Sequence, residues 1–185
     1  MPKPSQPKRK ALFLDRDGTL VVDEGYVYDP NRIQLLPRVR ETLQYFLEKQ
    51  WLFFLFSNQS GVGYGYYTLE QAQACTQRLI QLLDLGEHFF TKICLATETP
   101  EQKQVYRKPS PRFILECVQA FNLDCQQCWM IGDKLSDVQA GLSANIHAAL
   151  LTPNPLHAET YKCFEDLYGF KEFLAHQTNS TVAVA

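Results

Sequence analysis

No stretch of this 185-residue chain approaches the unbroken apolar length that spans a bilayer, so a transmembrane helix is excluded as its organising element. A secretory core is missing too. After the basic, proline-containing start from Met1 to Lys10, only four apolar residues precede Asp15. An excess of one charge is also absent: 18 Lys and Arg stand against 20 Asp and Glu, and a formal charge of -2 supplies no global field toward nucleic acid or an anionic membrane. The expectation is a cytoplasmic protein, a monomer or small homo-oligomer, that meets a small molecule and binds neither nucleic acid nor membrane. A second Cys-x-x-Cys pair is lacking, so Cys125 and Cys128 do not read as half of a zinc site. The six cysteines lie mostly in apolar or helical contexts, in a chain long enough to build its own core, and read as buried free thiols.

The composition that remains, 45% hydrophobic and 21% charged, is that of a globular domain with a single core. Residues 1–9, with Pro2, Pro4 and Pro7, read as a flexible arm, residues 10–176 as one domain, and residues 177–185 as a flexible tail. Apolar runs at Lys10 to Asp15, Trp51 to Phe56, Ile93 to Ala96, Cys128 to Ile131 and Ile146 to Leu151 have the length of strands buried on both faces. Helical spacing lies between them. Val39, Leu43, Phe46 and Leu47 follow Pro37, which is placed where a helix begins, and that helix ends near Lys49. Thr68 with Gln71 predicts a capped helix carrying Leu69, Ala72, Leu79, Leu82 and Leu83. Phe113, Ile114, Cys117 and Phe121 mark another, Val138 to Ala144 a short one, and a last helix falls between Glu165 and His176. Gly61, Gly63 and Gly65, interleaved with Val62, Tyr64, Tyr66 and Tyr67, read as a pliable loop. The alternation predicts an α/β fold, a three-layer Rossmann-like parallel sheet with helices on both faces.

The first strand stops at Asp15-Arg16-Asp17-Gly18-Thr19-Leu20. In open parallel sheets ligands bind beyond the carboxyl ends of the strands, so both carboxylates belong to that crevice. Asp15 there can act as a nucleophile toward phosphate, and Asp17 can protonate the leaving alkoxide and later take a proton from water. Two carboxylates this close invite a hard cation such as Mg²⁺. Ser57 and Asn58 close the second strand, Lys108 opens the helix after the third, and Asp133 and Asp137 follow the fourth. Singly, each has a plain alternative: an acidic turn, a polar turn, a solvated lysine, a charged helix start. A parallel fold gathers all of them at one edge.

With these four motifs in this order, the chain resembles the haloacid-dehalogenase-like hydrolases. The resemblance implies that Asp15 is the nucleophile and Asp17 the general acid/base, with Ser57 and Lys108 on the phosphoryl oxygens. It also implies a Mg²⁺ held by Asp15, the backbone carbonyl of Asp17 and Asp133, with Asp137 in support. Leu14 to Leu20, Asp23-x-Gly25-Tyr26-Val27, Ser57-Asn58-Gln59-Ser60-Gly61, Arg107-Lys108-Pro109 and Gly132-Asp133-Lys134 narrow the likeness to the heptose bisphosphate and histidinol-phosphate phosphatases. That group implies substrate-side roles for Asn58, Arg107 and Lys134, and D-glycero-D-manno-heptose 1,7-bisphosphate as the leading substrate. Histidinol phosphate, a phosphorylated nucleic-acid end, or phosphate-ligand binding without turnover are the alternatives.

One departure stands out. Members of that group typically carry a zinc loop of Cys-x-His followed by Cys-x-Cys before the Arg-Lys-Pro. Here only Cys94 remains, with Ala96, Gln104 and Tyr106 in the other places, so no zinc is expected and the loop from Thr97 to Tyr106 is free to differ. Only about forty residues separate Asp17 from Ser57, which leaves no room for a large cap and predicts an open site.

Overall fold

The structure is a computed structural model and describes residues 7–155 and 158–182. One parallel sheet contains β1 (Arg9–Leu14), β2 (Leu52–Asn58), β3 (Lys92–Ala96), β4 (Leu123–Gly132), β5 (His147–Leu151) and β6 (Lys162–Phe164), in the order β3-β2-β1-β4-β5-β6. The chain thus winds outward from β1 to one side, then crosses back to β4 and winds to the other. Ligand crevices form at such a reversal, at the carboxyl ends of the two strands beside it.

The continuous apolar runs are explained by cover on both faces. Leu12 and Leu14 face a core shared with α1 (Val39–Glu48), α3 (Leu69–Leu83) and α6 (Leu167–Val182), through Leu43, Phe46, Leu79 and Phe170. Ala11 and Phe13 face the opposite core, shared with α4 (Arg112–Ala120) and α5 (Leu135–Ser143) through Phe113, Ile114, Cys117 and Ala140. Phe13 stacks on Phe54 at 4.7 Å between ring centroids, and a buried ring of this size contributes roughly 2–3 kcal/mol. Register matters most at the top of the sheet. Leu14 pairs with Leu55 on one side and Ile131 on the other, so Asp15 emerges level with Phe56 and Gly132.

Several local expectations are corrected. Arg9 already belongs to β1, so it is not part of the arm, whose residues 1–6 lie outside the described residues. The first helix starts at Val39 rather than Pro37, with Arg38 in the left-handed region at φ 60° before it. β2 runs through Ser57 and Asn58, β4 begins at Leu123, and α5 starts at Leu135 because Asp137 accepts the Lys134 backbone N–H as a cap at 3.0 Å. The glycine-rich stretch holds a one-turn helix, α2 (Ser60–Gly63), where a Cβ on Gly61 would come within 2.1 Å of the Tyr67 ring. β6 was not expected at all, since three residues with an exposed lysine carry no periodic signal. The last helix continues to Val182 where a tail was expected, and residues 183–185 lie outside the described residues.

Cys125 and Cys128 both fall within β4 as free thiols, and burial pushes the Cys128 thiol up to about 12, which removes thiolate chemistry at neutral pH. No helix among the described residues is long and apolar enough to cross a membrane.

Candidate active site

Asp15, Ser57, Lys108, Asp133 and Asp137 meet at the carboxyl edge of β1, β2 and β4. Lys108 is 3% exposed, and a buried ammonium has to be paired. Its Nζ lies 2.7 Å from Asp15 Oδ1, 2.5 Å from Asp137 Oδ1, and donates to the Phe56 carbonyl at 2.7 Å. Burial alone would push the Lys108 pKa down, but Asp15 and Asp137 outweigh it and hold the pKa above the ordinary lysine value. Two carboxylates share this one cation, so burial wins at Asp137 and keeps its carboxyl above the usual range against the pull of Lys108. Asn58 carries a structural task that the sequence did not signal. Its amide donates to the Lys108 carbonyl at 3.2 Å and accepts the Lys108 N–H at 2.9 Å, so the side chain fixes the lysine's backbone.

Oxygens of Asp15, Asp133 and Asp137 lie within 4.8 Å of one another. Asp133 Oδ1 is buried without a hydrogen-bond partner, and three carboxylate oxygens around one point suit a hard divalent cation, so the residues present fit Mg²⁺. Gly18, at φ +79°, makes the approach possible, because a Cβ there would stand 2.4 Å from Asp133 Oδ2. Asp17 does not contribute its side chain to this trio.

Burial lifts the Asp133 carboxyl to about 6, with Lys134 opposing and Asp15 and Asp137 reinforcing. A raised folded-state pKa stabilises below the ordinary value and is lost as pH rises through 6, so the metal-free protein gives up stability over that window. A cation that binds the ionised trio restores it. Saturating Mg²⁺ is expected to raise the melting temperature by about 5 °C near neutral pH and by much less at about pH 5. Thermal unfolding with Mg²⁺ or EDTA measures this, and equal shifts at both pH values contradict it.

Asp17 sits in a network that sequence reading missed. Arg16, 1% exposed, donates through Nε to both Asp17 oxygens at 3.1 Å and through a terminal nitrogen to Gln59 Oε1 at 3.1 Å. Gln59 Nε2 donates to Asp17 Oδ2 and to Ser57 Oγ, each at 2.9 Å, while Tyr67 donates to Gln59 Oε1 at 2.8 Å. Burial raises the Asp17 pKa, Arg16 pulls it back and Asp15 lifts it again, with a net upward shift suited to a proton donor. The available signal was an arginine flanked by two aspartates at the end of an apolar run, a charge that burial obliges to pair.

The site opens into a cleft of about 330 Å³ lined by Asp17, Tyr26, Asn58, Tyr64, Arg107 and Lys134, among others. Lys134 reaches Asp23 at 3.2 Å, and its pKa is raised to about 12 because Asp133, Asp15 and Asp23 outweigh burial. Arg107 donates to Ser60 Oγ and to the Glu98 carbonyl at 3.3 Å. Tyr26, Tyr64 and Tyr66 form an aromatic wall, with Tyr26 5.0 Å from Tyr66 and Tyr64 5.4 Å from Tyr66.

Known proteins resemble this chain over most of its length. A model described as haloacid dehalogenase-like hydrolase matches residues 22–145, more than half of the chain. A D-glycero-beta-D-manno-heptose-1,7-bisphosphate 7-phosphatase of Helicobacter pylori is 38% identical over 80% of this chain and 86% of its own. A D-glycero-alpha-D-manno-heptose-1,7-bisphosphate 7-phosphatase of Campylobacter jejuni is 36% identical over 78% of this chain and 83% of its own. The crystal structure of D,D-heptose 1,7-bisphosphate phosphatase from B. bronchiseptica, complexed with magnesium and phosphate, shares the fold with a TM-score of 0.81 at 24% identity, covering 91% of this chain and 99% of that one. Family model, relatives and fold agree, and the chain belongs to the haloacid dehalogenase-like hydrolase family.

Proposed function

We propose that this chain is a Mg²⁺-dependent phosphomonoesterase that removes the 7-phosphate of a D-glycero-D-manno-heptose 1,7-bisphosphate through an aspartyl-phosphate on Asp15. The observation that carries the chemistry is Asp15 at the end of β1, its oxygen 2.7 Å from the buried Lys108 ammonium, beside an open cleft bearing Arg107 and Lys134. The relatives' printed activity supports the choice of substrate.

In the first step an Asp15 oxygen bonds to phosphorus as the ester P–O bond breaks, and Asp17 gives its proton to the departing alkoxide. Arg16 and Gln59 hold the Asp17 carboxyl in place for that transfer. In the second step Asp17 takes a proton from water, the resulting hydroxide oxygen attacks phosphorus, and the bond to Asp15 breaks to release phosphate. Lys108 offsets charge on the phosphoryl oxygens. Ser57 already accepts from Gln59, which leaves its hydroxyl proton for another of them. Asp15, Asp133, the Asp17 carbonyl and, in support, Asp137 would hold Mg²⁺, which supplies positive charge that an anionic nucleophile needs near an anionic phosphate.

The reading includes no structural zinc, because Cys94 is the one thiol in the four places, Ala96 has no donor atom, and the Gln104 amide and Tyr106 hydroxyl are committed to hydrogen bonds. Mg²⁺-dependent phosphate release is expected to favour heptose bisphosphate over histidinol phosphate and a 3′-phosphorylated oligonucleotide by about 100-fold or more in kcat/KM. A flat profile overturns the substrate assignment, and activity unaffected by EDTA overturns the metal dependence.

A further inference from the structure

The loop between β3 and Lys108 holds its shape by hydrogen bonds centred on one side chain. Glu98 Oε1 accepts the Val105 N–H at 3.0 Å and the Tyr106 N–H at 2.7 Å, so the start of the loop grips its end. Gln104 Nε2 donates to the Thr99 carbonyl at 2.8 Å and the Gln102 carbonyl at 2.7 Å, tying the interior together. The Tyr106 hydroxyl is fastened to Glu116 of α4 at 3.1 Å, and Ser110 Oγ donates to the Val105 carbonyl at 2.8 Å. Burial alone would raise the Glu98 pKa, but the backbone N–H groups it accepts outweigh burial and lower it, keeping the side chain an ionised acceptor at neutral pH.

The other end of the same residue reaches the cleft. The Glu98 carbonyl accepts from Ser60 Oγ at 3.1 Å and from Arg107 at 3.3 Å, while Arg107 also donates to Ser60 Oγ. Arg107 follows Tyr106 directly, so its backbone is set by the bond Glu98 makes to Tyr106 and its guanidinium by the Glu98 carbonyl. α2 packs closely behind. A Cβ on Gly63 would lie 2.4 Å from the Thr97 carbonyl, so the loop's first residue has no room to shift toward the helix.

We propose that Glu98 is a positioning residue that aims Arg107 at the part of the substrate remote from the scissile phosphate, and that Glu98 and Gln104 give the loop its shape without a metal. The inference rests on the cleft being the ester site. A side chain that sets only Arg107 affects esters long enough to meet Arg107 more than it affects short ones.

The experiment compares Glu98→Ala, Glu98→Gln, Arg107→Ala and the Glu98→Ala/Arg107→Ala double variant on heptose bisphosphate and on p-nitrophenyl phosphate. Loss of two charge-assisted bonds is expected to raise KM for the heptose ester about tenfold in Glu98→Ala, with a much smaller change in kcat and in p-nitrophenyl phosphate turnover. Glu98→Gln, which keeps an acceptor oxygen, restores most of the affinity, and the double variant is no worse than Arg107→Ala. Equal losses on both esters, or additive losses in the double variant, overturn the proposal. Amide hydrogen exchange at Val105 and Tyr106 gives a reading that needs no substrate. It should quicken in Glu98→Ala and stay unchanged in the wild type when zinc or a chelator is added. Unchanged exchange in Glu98→Ala overturns the clasp, whereas a wild-type chain inactive on heptose bisphosphate overturns the proposed substrate and leaves the clasp to be judged by exchange.

Discussion

Asp15→Asn is expected to lower phosphate release by at least ~10⁴-fold while leaving the fold intact. The amide keeps an oxygen where Asp15 Oδ1 meets Lys108 at 2.7 Å, and its backbone N–H still bonds to the Ile131 carbonyl at 3.0 Å, so packing at the end of β1 is preserved. What disappears is the anionic oxygen proposed to bond to phosphorus, and neither Asp17 nor Asp137 replaces it. Asp17 is turned toward Arg16 and Gln59, while both Asp137 oxygens are occupied, one by Lys108 and the other by the Lys134 backbone. Phosphate release, together with a circular dichroism spectrum to verify folding, measures the effect. A variant with a tenth of wild-type activity contradicts the covalent route.

Lys108→Met is expected to damage catalysis and stability together. Removing the ammonium strands Asp15 and Asp137, 5% and 1% exposed, with no cation between them. Deleting one partner of a buried pair costs about 3–5 kcal/mol, because the remaining charge stays desolvated. Turnover is expected to fall about 10³-fold, the scale of losing one preorganised charge on a reacting oxygen.

The pH dependence follows from the raised Lys108 pKa. A cation held above its unfolded value contributes stability that is complete below that value, roughly pH 10, and is lost only as pH climbs through the folded one. The stability difference between wild type and variant therefore takes no pH dependence from Lys108 itself across neutral pH. It shrinks in acid, where Asp137, already held upward by burial, takes up a proton and ceases to need a partner. Denaturant unfolding without metal at several pH values tests this, and a variant as stable as wild type at neutral pH contradicts it.

The sequence by itself determined the fold class and the order of the motifs. Apolar runs of strand length ending in Asp15, Ser57 and Asp133 are local patterns, and a parallel sheet obliges their ends to share an edge whatever the loops do. The capped start of α3 was legible for the same reason, since Thr68 and Gln71 satisfy each other within one turn. The weakest signals belonged to β6, which owes its existence to pairing with β5, and to the end of α6.

The tertiary structure alone decided how the polar groups are paired. Asn58 lines the cleft, and only the fold shows that its amide also pairs with the peptide of Lys108, fifty positions away. Arg16 and Gln59 look like parts of a motif until burial forces the guanidinium onto Asp17 and the glutamine joins Asp17 to Ser57. Glu98 is an ordinary loop acid until Val105 and Tyr106 turn their N–H groups toward it. Periodicity and turn chemistry act over a few neighbouring residues, so they can be read along the chain. Partners for buried charges and amides are chosen by desolvation and proximity in three dimensions, and only the folded arrangement specifies them.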